Sequence, residues 1–84
     1  MQAKELTIMS ADGLRASKAA MFVQVAGGFA SQIFVEKGNK KINAKSIMGV
    51  LSLGVKQGEK IYVFANGKDE EEAIVAIEKL IATF

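Results

Sequence analysis

Histidine, cysteine and proline are all absent from this sequence. Without histidine the chain has no side chain whose ordinary titration falls between pH 5 and 8, so no regulatory pH response near neutrality is expected. Catalysis by a Ser–His or Cys–His arrangement is excluded. With neither cysteine nor histidine, the usual ligands of zinc, iron and copper are missing, so no metal site and no cofactor is expected. No disulfide can staple the fold, which suits a reducing compartment. Glycine-rich phosphate loops of the Walker or dinucleotide type are also absent, and so is the aromatic signature of RNA-binding sheets. No carboxylate pair stands out for acid–base work. The chain is not expected to be an enzyme.

Long apolar runs are missing too. The longest weakly polar stretch, from Ala19 to Ala30, falls short of the ~20 apolar residues that a spanning helix needs, so no membrane is expected. The N-terminus runs directly into alternating polar and apolar residues, with no leader pattern, and the cytoplasm is the default reading. Net charge is only +2. Basic residues are spread along the chain, with one local cluster at Lys37, Lys40 and Lys41, so no direct nucleic-acid partner is expected.

What is present reads as one domain covering residues 1–84, because this length leaves no room for a second core. Half of the residues are hydrophobic, which favours a compact fold. From Lys4 to Met9 polar and apolar residues alternate, with Leu6 and Ile8 on one face of a strand. After a turn at Ala11-Asp12-Gly13, residues Ala19, Phe22, Val23 and Ala26 form a helical stripe that ends at Gly27-Gly28. Gln32 to Lys37 and Lys40 to Ala44 are two strands joined by the Gly38-Asn39 hairpin signal, in which both residues accept positive φ. Ser46 is a good N-cap for a short helix, Ile47 to Leu53, stopped by Gly54. Lys60 to Asn66 is the fourth strand. Asp69, with Glu72 three residues on, reads as a capping-box variant opening the last helix. The order β-α-β-β-α-β-α predicts an α+β fold: a four-stranded, mostly antiparallel sheet with three helices on one face.

Three places could carry function. At the start of the first helix, Arg15 and Lys18 sit where positive charge is unfavourable unless an anion or acidic partner compensates. They are either a docking point for an acidic surface or phosphate, or two solvated charges. In the second helix, Ile47, Val50, Leu51 and Gly54 share one side, which leaves Met48 and Leu53 projecting away. An exposed methionine beside an exposed cap serine reads as a partner patch, or the segment is a plain capping serine on a core helix. A phosphate on Ser46 would be tolerated at that end. Third, if Ile33, Val35, Ile61, Val63 and Ala65 face the helices, then Phe34, Tyr62 and Phe64 face away. Those rings form a dimer or partner face, or cross-strand pairs that only stabilise the sheet.

The segment from Asn43 to Gly54, NAKSIMGVLSLG, resembles the regulatory-serine segment of the HPr family, the histidine-containing phosphocarriers of the bacterial sugar phosphotransferase system. The resemblance covers essentially the whole chain. It is supported by the turn from Gly13 to Ala20, by Gly67, and by Asp69-Glu70 and Ala73. It implies the family's open-faced β-sandwich. The family pattern at the first helix is G-x-H-A-R-P-A. Here Arg15 stands at the position of the phosphorylated histidine, Ser17 at that of the arginine that steadies the phosphate, and Lys18 at that of the proline. A guanidinium stays protonated and offers no nucleophilic nitrogen, so Arg15 cannot replace the imidazole. The chain is similar in this respect to the Crh (catabolite repression HPr) subfamily, which lacks the histidine and keeps the serine.

The resemblance implies that HPr kinase/phosphorylase phosphorylates Ser46 and that a LacI-type catabolite control repressor binds the product. Arg15, Ser17, Lys18, Ile47, Met48 and Leu51 would form the docking surface. Ser17 and Lys18 depart from the Arg-Pro pair that Crh proteins keep there. The resemblance also implies dimers by exchange of the first strand, so a homodimer is a second expectation. Two other readings stay open: a self-associating paralogue in which Ser46 only caps a helix, and a phosphocarrier using another residue such as Ser17.

Overall fold

A computed structural model describes residues 1–84. Its elements are β1 (Gln2–Thr7), α1 (Ala16–Gly27), β2 (Gln32–Lys37), β3 (Lys40–Asn43), α2 (Ile47–Ser52), β4 (Lys60–Asn66) and α3 (Glu70–Ala82). The four strands form one sheet in the order β1-β4-β2-β3. Every neighbouring pair is antiparallel, so the sheet is antiparallel throughout.

The alternation of the central strands decides which face is covered. Ile33 and Val35 of β2 and Ile61, Val63 and Ala65 of β4 point to the helical side, and all are buried. They meet Ala19, Phe22 and Ala26 of α1 and Ala73, Ile74, Ile77 and Ile81 of α3 in one continuous core, with Phe84 packed against its edge. Period-2 strands and period-3.6 helices thus present their apolar faces to one another, which is why the helices lie on a single side.

Element ends differ in detail from the sequence expectation. β1 runs from Gln2 to Thr7, two residues earlier than the alternation suggested. Ile8 still donates to the Glu59 carbonyl at 3.0 Å as the chain leaves the sheet. Gly28 ends α1 in the right-handed conformation (φ −77°, ψ −5°), not the left-handed one. In the β2–β3 hairpin only Gly38 takes positive φ, at +61°. That is the type II′ pattern, which needs glycine at the first central position alone.

Two sequence expectations are corrected. The core side of α2 is formed by Val50 and Leu53, the latter only 4% exposed. Ile47 and Leu51 are exposed by 38% and 40%, and Met48 by 74%. The helix is rotated from the predicted phase because the i, i+3 pair Val50 and Leu53 reaches the core, which turns Met48 to the opposite side. At α3, Asp69 occupies the N-cap but its side chain does not cap the helix. The carboxylate is engaged across the fold with Ala30 and Ser31. Glu70, not Glu72, reaches back, accepting from the Gly67 N–H at 3.1 Å.

Candidate functional site

The loop leading into α1 is stitched to the segment after α2. Gly13 donates to the Ser10 carbonyl and Leu14 to the Val55 carbonyl, each at 3.0 Å. The Ser10 hydroxyl donates to the Gly13 carbonyl at 2.5 Å, and the Gln57 amide to the Met9 carbonyl at 3.1 Å. Gly13 has φ +67°, and a Cβ there would stand 2.0 Å from the Val55 oxygen, so glycine is required on both counts. This stitching holds Arg15 in an extended conformation (φ −134°, ψ 169°) immediately before the helix. Ala16 follows with φ +51°, a left-handed value that costs a residue with a Cβ roughly 1–2 kcal/mol.

Arg15 borders an open cleft of about 470 Å³ lined also by Asp12, Gly54, Val55, Lys56 and Gln57. No carboxylate lies within 4 Å of the Arg15 guanidinium, whereas Lys18 sits 3.9 Å from Asp12. No side chain caps α1, and its first turn holds no acidic residue. Ser17 is exposed and makes no side-chain hydrogen bond. With no imidazole in the chain, that hydroxyl has no histidine to activate it. Chemically the place holds two basic side chains, Arg15 and Lys18, and no imidazole.

Ser46 lies at the other end of α2. It lies eight positions before Gly54 on the cleft wall, about 12 Å of helical rise. Its hydroxyl oxygen accepts from the Gly49 N–H at 3.2 Å, as an N-cap should. The approach is fixed from both sides: the Asn43 side chain accepts from the Lys45 N–H at 2.8 Å, and the Lys45 ammonium donates to the Phe29 carbonyl at 2.7 Å. Ser46 is exposed, and Ile47, Met48 and Leu51 around it form an apolar patch without cover. Packing of α1 against α2 brings this patch and the Arg15–Lys18 turn to the same helical side of the molecule.

Sequence reasoning missed the residues that hold α2 in place. Lys37 donates to the carbonyls of Leu53 (3.3 Å) and Gly54 (3.1 Å), and Lys40 to that of Ser52 (3.4 Å). These cations answer the free carbonyls at the helix C-terminus. Lys37 also pairs with Glu59 at 3.0 Å and lowers the pKa of that carboxyl, helped by the Lys56 N–H. Lys56 and Gln57 on the cleft wall were likewise unread. The signal available was the hairpin: a two-residue turn fixes Lys37 opposite Lys40 and aims both at the following helix.

On the uncovered sheet face, Tyr62 and Phe64 stack with centroids 6.4 Å apart. The Lys41 ammonium lies over Phe34 (5.2 Å) and Phe64 (4.9 Å). These rings are therefore not brought to the Ser46 side; they occupy the opposite face.

Residues 2–83 match the family described as PTS HPr component phosphorylation site. The chain belongs to the HPr family. This member is 47% identical over 77 residues to the HPr-like protein Crh of Halalkalibacterium halodurans, covering 92% of each chain. It superposes on the crystal structure of HPr-C-His from Thermoanaerobacter tengcongensis with a TM-score of 0.97, at 54% identity over 99% of this chain and 93% of the other. The crystal structure of Bacillus subtilis Crh, a domain-swapped dimer, gives 0.79 at 41% identity, with 99% and 95% covered. The fold expected from the sequence, and the likeness to Crh, are both borne out. This HPr-family chain is accordingly a member of a group of phosphocarrier and regulatory proteins, and no helix in it is long and apolar enough to cross a membrane.

Proposed function

We propose that this chain is a cytoplasmic, single-domain regulatory member of the HPr family that does not transfer phosphate through the α1 site. Ser46 is the switch, phosphorylated by HPr kinase/phosphorylase, and the phosphoserine form binds a LacI-type catabolite repressor in carbon catabolite repression. One observation carries this reading. The exposed Ser46 hydroxyl stands beside the uncovered apolar side chains Ile47, Met48 and Leu51, while Arg15 holds the position of the family's histidine. Phosphorylation adds about −1.5 to −2 charges and three acceptor oxygens at the start of α2. It would create a site for an arginine- or lysine-bearing partner without refolding the domain. Arg15, Ser17 and Lys18 supply the flanking polar rim on the same side.

The test is intact-protein mass after incubation with HPr kinase/phosphorylase and ATP, with Ser46→Ala as control. A gain of one phosphate that the control lacks is expected. No gain leaves Ser46 as a helix cap and overturns the reading. Incubation with enzyme I and phosphoenolpyruvate is expected to leave the mass unchanged, and transfer there would return the chain to the phosphocarriers. A second reading, self-association, is favoured by β1 lying at a sheet edge with β4 as its sole partner strand, the kind of strand that a domain-swapped dimer such as that of Bacillus subtilis Crh can exchange.

A further inference from the structure

One peptide group stands between two opposite charges. The Phe29 carbonyl accepts from the Lys45 ammonium at 2.7 Å. The N–H of the same peptide group, that of Ala30, donates to the Asp69 carboxylate at 2.8 Å. A trans peptide is planar, with its C=O and N–H pointing in opposite directions. A cation at the oxygen and an anion at the hydrogen therefore polarise the group in the same sense, and each bond strengthens the other. Neither Lys45 nor Asp69 has an oppositely charged group within 4 Å. The two charges are linked through this peptide instead.

Lys45 is also the residue immediately before Ser46. Ala44 is fully buried and donates to the Ile33 carbonyl at 2.9 Å. The Lys45 and Ser46 N–H groups both turn back onto Asn43, to its side chain at 2.8 Å and its carbonyl at 3.1 Å. These bonds hold the approach to Ser46 from the β3 side. The half-buried Lys45 side chain holds it from the α1 side, on a peptide that Asp69 fixes from the start of α3. We propose that Lys45 is a positioning residue for phosphorylation of Ser46, and that the Phe29–Ala30 peptide passes the hold of Asp69 on to it. This role rests on the Ser46 switch proposed above. It brings in a loop whose own hydrogen bonds do not reach the Ser46 hydroxyl.

In the transfer the Ser46 oxygen bonds to the γ-phosphorus of ATP, the bond from that phosphorus to ADP breaks, and the hydroxyl proton leaves to a base of the kinase. The attacking hydroxyl must be held close to its line of approach, and a misplacement of ~1 Å costs on the order of a hundredfold in rate. A hold on the acceptor acts on kcat, whereas a contact between the lysine and the kinase contributes to binding and acts on KM. Lys45→Met keeps an unbranched stem and loses the ammonium. Lys45→Arg keeps a cationic donor for the Phe29 carbonyl. Asp69→Asn removes the anion at the other end of the peptide. Lys79, exposed on α3 and without an ion pair, is the control for loss of one positive charge.

Two measurements test this. Amide hydrogen exchange followed by NMR needs no kinase. In Lys45→Met the Ala30 and Gly49 amides are expected to exchange at least about fivefold faster than in the wild-type chain, and in Lys45→Arg at close to the wild-type rate. Ala30 is the sharper reporter, because its N–H bonds to Asp69 and not to Lys45. The second measurement is steady-state phosphorylation by HPr kinase/phosphorylase and ATP. Lys45→Met and Asp69→Asn are each expected to lower kcat about tenfold with KM little changed. The double variant should fall no further than Lys45→Met alone, and Lys45→Arg and Lys79→Met should stay near wild type. Circular dichroism at the assay temperature establishes that every variant is folded. Unchanged Ala30 exchange in Lys45→Met, additive losses in the double variant, or a raised KM with kcat intact each overturns the proposal, the last by assigning Lys45 to contact with the kinase. Those outcomes leave the Ser46 switch standing. A wild-type chain that takes up no phosphate overturns the switch and the positioning role together.

Discussion

Asp69 and Ser31, thirty-eight positions apart in sequence, are joined by two hydrogen bonds. The Asp69 carboxylate accepts from the Ser31 N–H at 2.9 Å and from its hydroxyl, and a third bond comes from the Ala30 N–H at 2.8 Å. The Ser31 hydroxyl is the largest of the influences that hold the Asp69 pKa down to about 2, followed by the backbone bond from Ala30. These bonds clamp the loop after α1 to the start of α3.

Because the folded pKa of Asp69 is depressed, its contribution to stability is present above the unfolded value and lost as pH falls from near 4 through about 2. Glu59 and Glu70, whose values are also lowered, act in the same direction. Asp69→Asn turns an amide N–H₂ toward groups that are themselves donors. It should lower Tm by several degrees at pH 7, and the difference from wild type should close as the pH is taken to 2. Thermal melts at pH 7, 4, 3 and 2 check this. A difference that stays constant with pH would assign the loss to packing instead.

Ser46 has a structural role separable from any regulatory one. Ser46→Ala removes the acceptor for the Gly49 N–H and should cost about 1 kcal/mol. Ser46→Asp keeps an acceptor and adds negative charge at the positive end of the helix, so it should melt at or above the wild-type Tm. Denaturant titration of both variants distinguishes the cases. Equal losses for alanine and aspartate would mean that the cap contributes nothing.

Two glycines should respond in opposite directions to the same change. Gly13→Ala combines a left-handed φ with a Cβ only 2.0 Å from the Val55 oxygen. The strain and the displaced Leu14–Val55 hydrogen bond together should cost about 2–3 kcal/mol. Gly49 lies inside α2, where a Cβ would meet Ile42 and Ser46 at an acceptable 3.4 Å. Gly49→Ala should therefore stabilise by about 0.5–1 kcal/mol through helix propensity. Urea unfolding of the pair measures both signs, and destabilisation of similar size at the two sites would refute the distinction.

What the sequence revealed follows from how local each cue is. The inward sets Ile33, Val35 and Ile61, Val63, Ala65 were legible because strand alternation needs only neighbouring residues. So was Ser46 as a cap, since its partner is three residues away. The phase of α2 was not legible. A six-residue helix carries fewer than two turns, and Ile47, Val50, Leu51 and Leu53 fit more than one face. Asp69 was read as a local cap because its true partners lie nearly forty residues back. Lys37 was read as part of a surface cluster for the same reason: its acceptors, Leu53 and Gly54, come from an element whose placement only the folded chain defines.

Tyr62 offers a titration that reports one residue, because it is the sole tyrosine and the chain has no tryptophan. Its phenol pKa is raised, first by the hydrogen bond to Glu5, then by the charge of Glu5, and further by Glu36. A carboxylate beside the phenol opposes formation of the phenolate. Glu5→Gln removes that charge, so the phenol should ionise at lower pH, moving toward 10, the ordinary tyrosine value. Absorbance near 295 nm between about pH 8 and 12 follows the change directly. A midpoint that does not fall in Glu5→Gln would show that the Tyr62 hydroxyl points away from β1.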